Sequence, residues 1–331
     1  MSNSDVYTVV VDSGKHFSKA LGYKDGGFIK TKFRTLVEDA THVSGVELFG
    51  DTYRVEFDDK QYLIGNMLSE RNADFQVSKH SLTHKLAFYT SIALMLDKLG
   101  AARVGIPTVN LAINTPLNIF KNEQLKAAYR DYVMSDHKPI CLRLNGQAWV
   151  FRINELVLLP EGVGPIYAKL DEYRNSRTTV IDIGSMNASF ATFDKLVPKI
   201  DSLLISNLGV NLLRGHVQEV LSTQYGTTVT LDESQQILQE RAYSMNGAVM
   251  LDSHRTITDL MTNHVRDIIN YGRSQGLSFT NPVFCGGGAL LLKDQILELF
   301  PHAKIDDNGS FSNVKSYWKL LEARGLTHEQ A

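Results

Sequence analysis

A strand-forming run that ends in Asp-x-Gly occurs twice in this chain. At 6–14, Val-Tyr-Thr-Val-Val-Val leads into Asp12-Ser13-Gly14, and at 178–185, Thr-Thr-Val-Ile leads into Asp182-Ile-Gly184-Ser185. β-branched residues suit buried strands, and Asp, Ser and Gly suit the tight turn that ends one. The two copies lie far apart, and each is followed by its own strands and helices. That distribution predicts two related lobes rather than a short-period repeat.

The rest of the pattern reads as α/β. Residues 45–65 alternate like antiparallel hairpin strands, with Asp58-Asp59 at the turn. Residues 83–99 have helical spacing, and Gly100 stands where a C-terminal cap belongs. A central strand is predicted at 104–114, an amphipathic helix at 122–133, strands at 139–144 and 148–159, helical character at 166–173 and a polar linker at 174–177. The second lobe is read as helices at 208–224, 232–242 and 257–275, then a strand at 281–285 ending in Gly286-Gly287-Gly288. A helix over 314–323 precedes a polar tail. These elements give domains at 1–177 and 178–313, with 314–331 packing back on the first.

Composition removes several functions. The 34 Lys and Arg are balanced by 36 Asp and Glu, a formal net charge of −2, so there is no electrostatic case for direct nucleic-acid or anionic-membrane binding. Cys141 and Cys285 are the two cysteines, too few for a disulfide framework or a thiolate zinc site, and they point to a reducing, cytoplasmic compartment. No segment reads as a signal peptide or a membrane span. The ten histidines form no H-E-x-x-H motif, and no metal is assigned to them. The dinucleotide and P-loop glycine patterns are missing, as is the G-x-S-x-G elbow of a serine hydrolase.

A strand running into Asp-x-Gly supplies a carboxylate beside a row of backbone N–H groups. The N–H groups suit phosphate oxygens, and the carboxylate suits hydrated Mg²⁺. Either copy alone reads equally well as an ordinary turn. Two copies on equivalent strands could hold a polyphosphate from both sides. Lys19, seven residues after Asp12, could reach a phosphate, although a surface lysine is the plainer account. The triple glycine suits a sharp turn or a close approach by a flat ligand.

Taken in order, four features resemble the actin/Hsp70/sugar-kinase ATPase superfamily: Asp12-x-Gly14 with Lys19, Pro160-Glu161-Gly162-x-Gly164, Asp182-x-Gly184-Ser185, and Gly286-Gly287-Gly288. Within it the chain is similar to the ParM-like bacterial and archaeal actins, and the segment from Phe311 to Lys319 resembles their endings. The resemblance implies an α/β, actin-like ATPase fold, with two ribonuclease-H-like lobes around a central nucleotide cleft.

It further implies that Asp12 and Asp182 hold Mg²⁺ through water, and that Ser13, Gly14, Lys19, Gly184 and Ser185 contact the phosphates of ATP or GTP. Gly286, Gly287 and Gly288 would border the adenosine. Glu161, with Asp182, would be catalytic by orienting the attacking water. Lys15, His16 and Met186 depart from the usual loop residues. Gln239, Glu240 and Arg241 lie on a helix that approaches the base in relatives, with a salt-bridged helix face as the plainer account.

The implied activity is nucleotide hydrolysis coupled to head-to-tail self-assembly. The implied setting is segregation of plasmid or phage DNA through a ParR-like DNA-binding adaptor. The alternatives are a non-polymerising nucleotide-dependent regulator and a small-metabolite kinase. Two isolated cysteines weigh against the kinase, whose relatives carry a Cys-rich zinc motif.

Overall fold

The strands of the first half are β1 (Val6–Ser13), β2 (Phe17–Lys24), β3 (Gly27–Arg34), β4 (Val37–Asp39), β5 (Thr52–Phe57), β6 (Lys60–Gly65), β7 (Thr108–Thr115), β8 (Ile140–Leu144) and β9 (Gln147–Pro160). The computed structural model describes residues 6–41, 43, 45–72, 80–102 and 105–327. Among these the nine strands make one sheet in the order β3-β2-β1-β7-β9-β8-β5-β6-β4. β1 is antiparallel to β2 and parallel to β7, and β7 is parallel to β9. With neighbours on both edges, β1 and β7 are buried almost throughout.

The helices here are α1 (Leu82–Leu99), α2 (Leu117–Phe120) and α3 (Glu123–Met134). The Ser81 hydroxyl caps α1 by accepting from the His84 N–H, and Gly100 ends it at φ 78. Leu86, Ile92, Met95 and Leu96 of α1 are fully buried in the core that also holds Val9, Val11 and Leu111. The expected strand at 104–114 begins at Thr108, and residue 104 lies outside the described residues, as does the end of the polar tail at 328–331.

The second half contains α4 (Leu170–Tyr173), β10 (Arg177–Ile183), β11 (Ala188–Asp194), β12 (Val197–Pro198), β13 (Leu204–Ser206), α5 (Val210–Tyr225) and α6 (Leu231–Glu240). It continues through β14 (Tyr243–Met245), β15 (Ala248–Met250), α7 (Ser253–Ser274), β16 (Pro282–Cys285), α8 (Gly286–Leu291), α9 (Lys293–Leu299), β17 (Lys304–Ile305) and α10 (Ser312–Ala323). Its main sheet has the order β12-β11-β10-β16-β17, with β13 paired to β11. β10 is antiparallel to β11 and parallel to β16, which is parallel to β17. Each half thus opens with an antiparallel hairpin whose first strand lies parallel to a strand from much later in the sequence.

The chain divides into two units, Met1–Glu161 with Asn313–Ala331, and Gly162–Ser312. The first division falls after Glu161 and not after 177. Residues 162–177 belong with the second unit because their partners lie there. Tyr167 donates to the Leu196 carbonyl at 3.3 Å, Lys169 pairs with Asp306 at 3.0 Å, and Glu172 pairs with Lys304 at 2.7 Å. Helix in this stretch is confined to the four residues of α4, because Gly164 at φ 52 and Pro165 start a series of turns. The predicted linker is shortened, since Arg177 already begins β10. In the first unit, Trp318 of α10 packs on Tyr23 and Phe28, and the Tyr317 hydroxyl donates to the Pro160 carbonyl at 2.8 Å.

One hairpin escaped the sequence reading. β2 and β3 join through Asp25 (φ 50) and Gly26 (φ 77), a two-residue turn with both centres left-handed. Asp-Gly is the strongest short signal for such a turn. Lys19, Lys24, Lys30, Lys32 and Arg34 make its strands look like a solvated loop. Their alternation with buried Ala20, Thr31 and Phe33 is what a sheet requires.

Candidate functional site

Asp12 stands at the C-terminal end of β1, directly opposite Lys19 on β2. The Lys19 Nζ lies 3.2 Å from Asp12 Oδ2, and the two side chains are only 12% and 7% exposed. The loop is closed by the Gly14 N–H, which donates to the Phe17 carbonyl at 3.0 Å. A Cβ on Gly14 would sit 3.0 Å from that oxygen and 3.5 Å from Lys19 Nζ. Lys32 lies opposite Lys19 on β3, and its ammonium is pulled below the ordinary range by burial and then by Lys19. A carboxylate, a backbone loop and two lysines are thereby gathered at one end of the sheet.

Ser13 is committed inward. Its N–H donates to Asn114 Oδ1 at 3.0 Å, and its buried hydroxyl lies 2.9 Å from His84 Nδ1 and 3.1 Å from Ser18 Oγ. Ser18 continues the network to Thr35 at 2.9 Å. The expected phosphate contact from Ser13 therefore meets a residue whose N–H and hydroxyl both serve the loop's own support. The sequence does hold one histidine pair at i, i+4, His80 and His84, but they part company. His84 faces Ser13, while His80 precedes α1 and stacks on Tyr132 at 4.0 Å. No group of three His, Cys, Asp or Glu among the described residues could hold a metal by itself.

In the second unit, Asp182 ends β10 opposite Ser189 on β11 and beside Cys285 on β16. The Gly184 N–H donates to the Asn187 carbonyl at 2.9 Å. This loop is stitched to the start of α5. The Val210 N–H donates to the Gly184 carbonyl at 3.0 Å, the Asn211 N–H to the Ser185 carbonyl at 2.8 Å, and the Gly209 N–H to the Met186 carbonyl at 3.2 Å. A Cβ at Gly209 would fall 2.2 Å from the Met186 backbone and 2.3 Å from the Ser185 oxygen, so only glycine permits this approach.

The structure also brings Gly286 to Asp182. Gly286 has φ 87, and a Cβ there would lie 2.4 Å from Asp182 Oδ1 and 2.6 Å from the Ile183 carbonyl. Gly288 is equally confined by Ile183 and Val210, whereas Gly287 is exposed and opens into free space. The run both turns the chain out of β16 and begins α8.

Glu161 follows β9 in the first unit. Its N–H donates to the Thr115 carbonyl at 3.2 Å, and its Oε1 accepts from Asn114 Nδ2 at 3.3 Å. Tyr129 is fully buried nearby, and burial, followed by the Glu161 charge, pushes its hydroxyl far above the ordinary range. Gly162 (φ 77) and Gly164 (φ 52) then turn the chain away. Arg241 goes to the salt-bridged alternative, since it pairs with Asp294 at 2.6 Å. Sequence reasoning missed Asn114, Lys32 and Gly209. An Asn next to the end of a buried strand was the available signal, because polar groups buried there need partners.

Two loops of this kind can each offer a carboxylate for a hydrated cation and backbone for an anion. Residues 11–164 match the family model described as the actin like proteins N terminal domain. The N-terminal part of this chain thus matches an actin-like domain.

Solved structures show an actin-like fold over nearly the whole length of the chain. It matches the Alp12 filament structure at 24% identity and TM-score 0.71, covering 97% of this chain and 99% of that one. It matches the archaeal actin homologue Ta0583, solved in complex with ADP, at 19% identity and TM-score 0.72, covering 96% and 99%. A 15-stranded ParM filament from Clostridium botulinum matches at 16% identity and TM-score 0.72, again covering 96% and 99%. No curated protein matches this chain. Among its described residues no helix is long and apolar enough to cross a membrane.

Proposed function

We propose that this actin-like chain binds ATP or GTP as the Mg²⁺ complex, hydrolyses it, and assembles with copies of itself into a filament. The observation that carries this reading is the duplication of one loop. Asp12 and Asp182 end the first strand of each unit, and Gly14 and Gly184 close both turns with the same hydrogen bond. The ADP complex of Ta0583 supports nucleotide binding, and the Alp12 and ParM filaments support self-assembly.

In this reading Asp12 and Asp182 hold the metal through water, and bound Mg²⁺ neutralises charge on the phosphate oxygens. Gly14 and Gly184 shape the loops that receive the phosphates, Ser185 supplies a contact from the second loop, Lys19 supplies a cation, and Ser13 braces the first loop from below. Glu161 orients water for in-line attack. Positioning and charge neutralisation are most of what phosphoryl transfer asks of a protein. Gly287, flanked by Gly286 and Gly288, leaves room for a base or sugar.

The cellular role follows from the same reading. A filament that lengthens and shortens with its nucleotide state can move plasmid or phage DNA. The balanced charge favours contact through a DNA-bound, ParR-like adaptor over direct contact with DNA.

The test is light scattering and phosphate release after adding Mg²⁺ with ATP or GTP. Assembly visible by electron microscopy, followed by phosphate release, is expected. Glu161→Ala should keep nucleotide bound while slowing release and lengthening filament lifetime. Nucleotide binding without assembly would point instead to a regulator, and a phosphorylated small molecule to a kinase.

A further inference from the structure

Asn114 closes β7 and is 1% exposed. Its one amide group joins two parts of the first unit that are distant in sequence. Its Oδ1 accepts the Ser13 N–H at 3.0 Å, and its Nδ2 donates to Glu161 Oε1 at 3.3 Å. A carbonyl oxygen accepts and an amide nitrogen donates, so this polarity leaves a single orientation of the side chain. The Glu161 main chain is tied to the same strand end, through Thr115. Carboxylate and first loop are therefore registered against one another by the end of one buried strand.

We infer that Asn114 is a positioning residue for nucleotide hydrolysis, fixing the rotamer of the Glu161 carboxylate relative to the Asp12-Ser13-Gly14 loop. This rests on the proposal that Glu161 orients the attacking water. Misplacement of such a group by a fraction of an ångström slows attack without weakening ground-state binding, because nucleotide contacts lie elsewhere. A merely structural Asn would act on stability alone.

Asn114→Asp separates the two bonds. The remaining oxygen still accepts from Ser13, but the side chain at position 114 can no longer donate to Glu161, and two carboxylates now oppose each other. Single-turnover phosphate release should fall about tenfold or more, the loss expected for an ill-placed reacting group, with Mg²⁺-ADP affinity within about twofold. When Asn114→Asp is combined with Glu161→Gln, the amide introduced at position 161 can donate to the carboxylate introduced at position 114, so Asn114→Asp should cost much less in that background than alone.

Asn114→Ser removes the amide without adding charge, and serves where the Asp variant does not fold. It also frees the Ser13 N–H, so its readout is release from nucleotide-saturated protein, which should fall about as far as in the Asp variant. Release slowed by Glu161→Gln but unaltered by Asn114→Asp overturns the positioning role alone, as does strict multiplicativity of the two substitutions. Absence of Mg²⁺-dependent release from the unsubstituted chain overturns the nucleotide reading and this inference with it.

Discussion

Gly14 and Gly184 do the same job in different units, each donating its N–H to the carbonyl three residues ahead, at 3.0 Å to Phe17 and 2.9 Å to Asn187. In both places a Cβ would crowd that same oxygen, at 3.0 and 3.2 Å. The acidic residue two positions earlier sits in antiparallel register with the returning strand, Asp12 with Lys19 and Asp182 with Ser189. One hairpin design has thus been used twice, and the difference lies in its support. The first is braced by buried polar side chains, Asn114 and His84, and the second by the backbone at the start of α5.

The Lys19–Asp12 pair is mostly buried, so removing the cation strands a carboxylate. Lys19→Met is expected to lower stability by about 1–3 kcal/mol, the cost of an uncompensated buried polar group. It should also weaken Mg²⁺-ADP binding. Urea denaturation and titration calorimetry check the two effects. Unchanged stability would mean that Asp12 is solvated in the free protein.

The three glycines after β16 should respond unequally. Gly286→Ala drives a methyl into Asp182 Oδ1 and strains a left-handed residue, and it should cost stability and Mg²⁺-nucleotide affinity together. The Cβ of Gly287→Val meets no neighbour within 4 Å, and the variant should fold normally. If the base or sugar lies there, it should still lose nucleotide affinity. Thermal melts with and without Mg²⁺-ADP separate the two cases.

His264 on α7 is 2% exposed, and burial pulls its ionisation down to about 4, with Asp267 and the Leu208 backbone opposing and His216 adding to the effect. Unfolded, it titrates near 6.5. Between these values the unfolded chain binds a proton that the folded one does not. Its contribution to stability is therefore complete above about pH 6.5 and shrinks as pH falls toward 4, by about 2 kcal/mol at pH 5. Denaturation of the unsubstituted chain and of His264→Leu at pH 7.5 and 5 should show a flatter pH dependence in the variant.

Much of this architecture was legible because buried strands are written in β-branched residues. The runs at Val6 and Thr178 marked the strands that matter, and Gly100 marked the end of α1. The β2–β3 hairpin was hidden because one face of it is lysine. The unit boundary was misplaced because the turns after Glu161 contain no long linker, and their allegiance is set by partners such as Asp306 and Lys304 that sequence order cannot pair. At the candidate site, Asp12, Lys19, Asp182 and Gly286 stood out by residue type. Asn114 and Gly209 did not, since their importance comes from what a fold places against them.

The central claim is that the Asp12 and Asp182 loops serve one and the same nucleotide. Titration calorimetry of Mg²⁺-ATP, or Mg²⁺-GTP, into the unsubstituted chain, Asp12→Asn and Asp182→Asn tests it directly. The expected result is one nucleotide per chain and a Kd raised about tenfold or more by either substitution, equivalent to at least about 1.4 kcal/mol. Undiminished affinity in either variant, or two independent sites each lost separately, would contradict it.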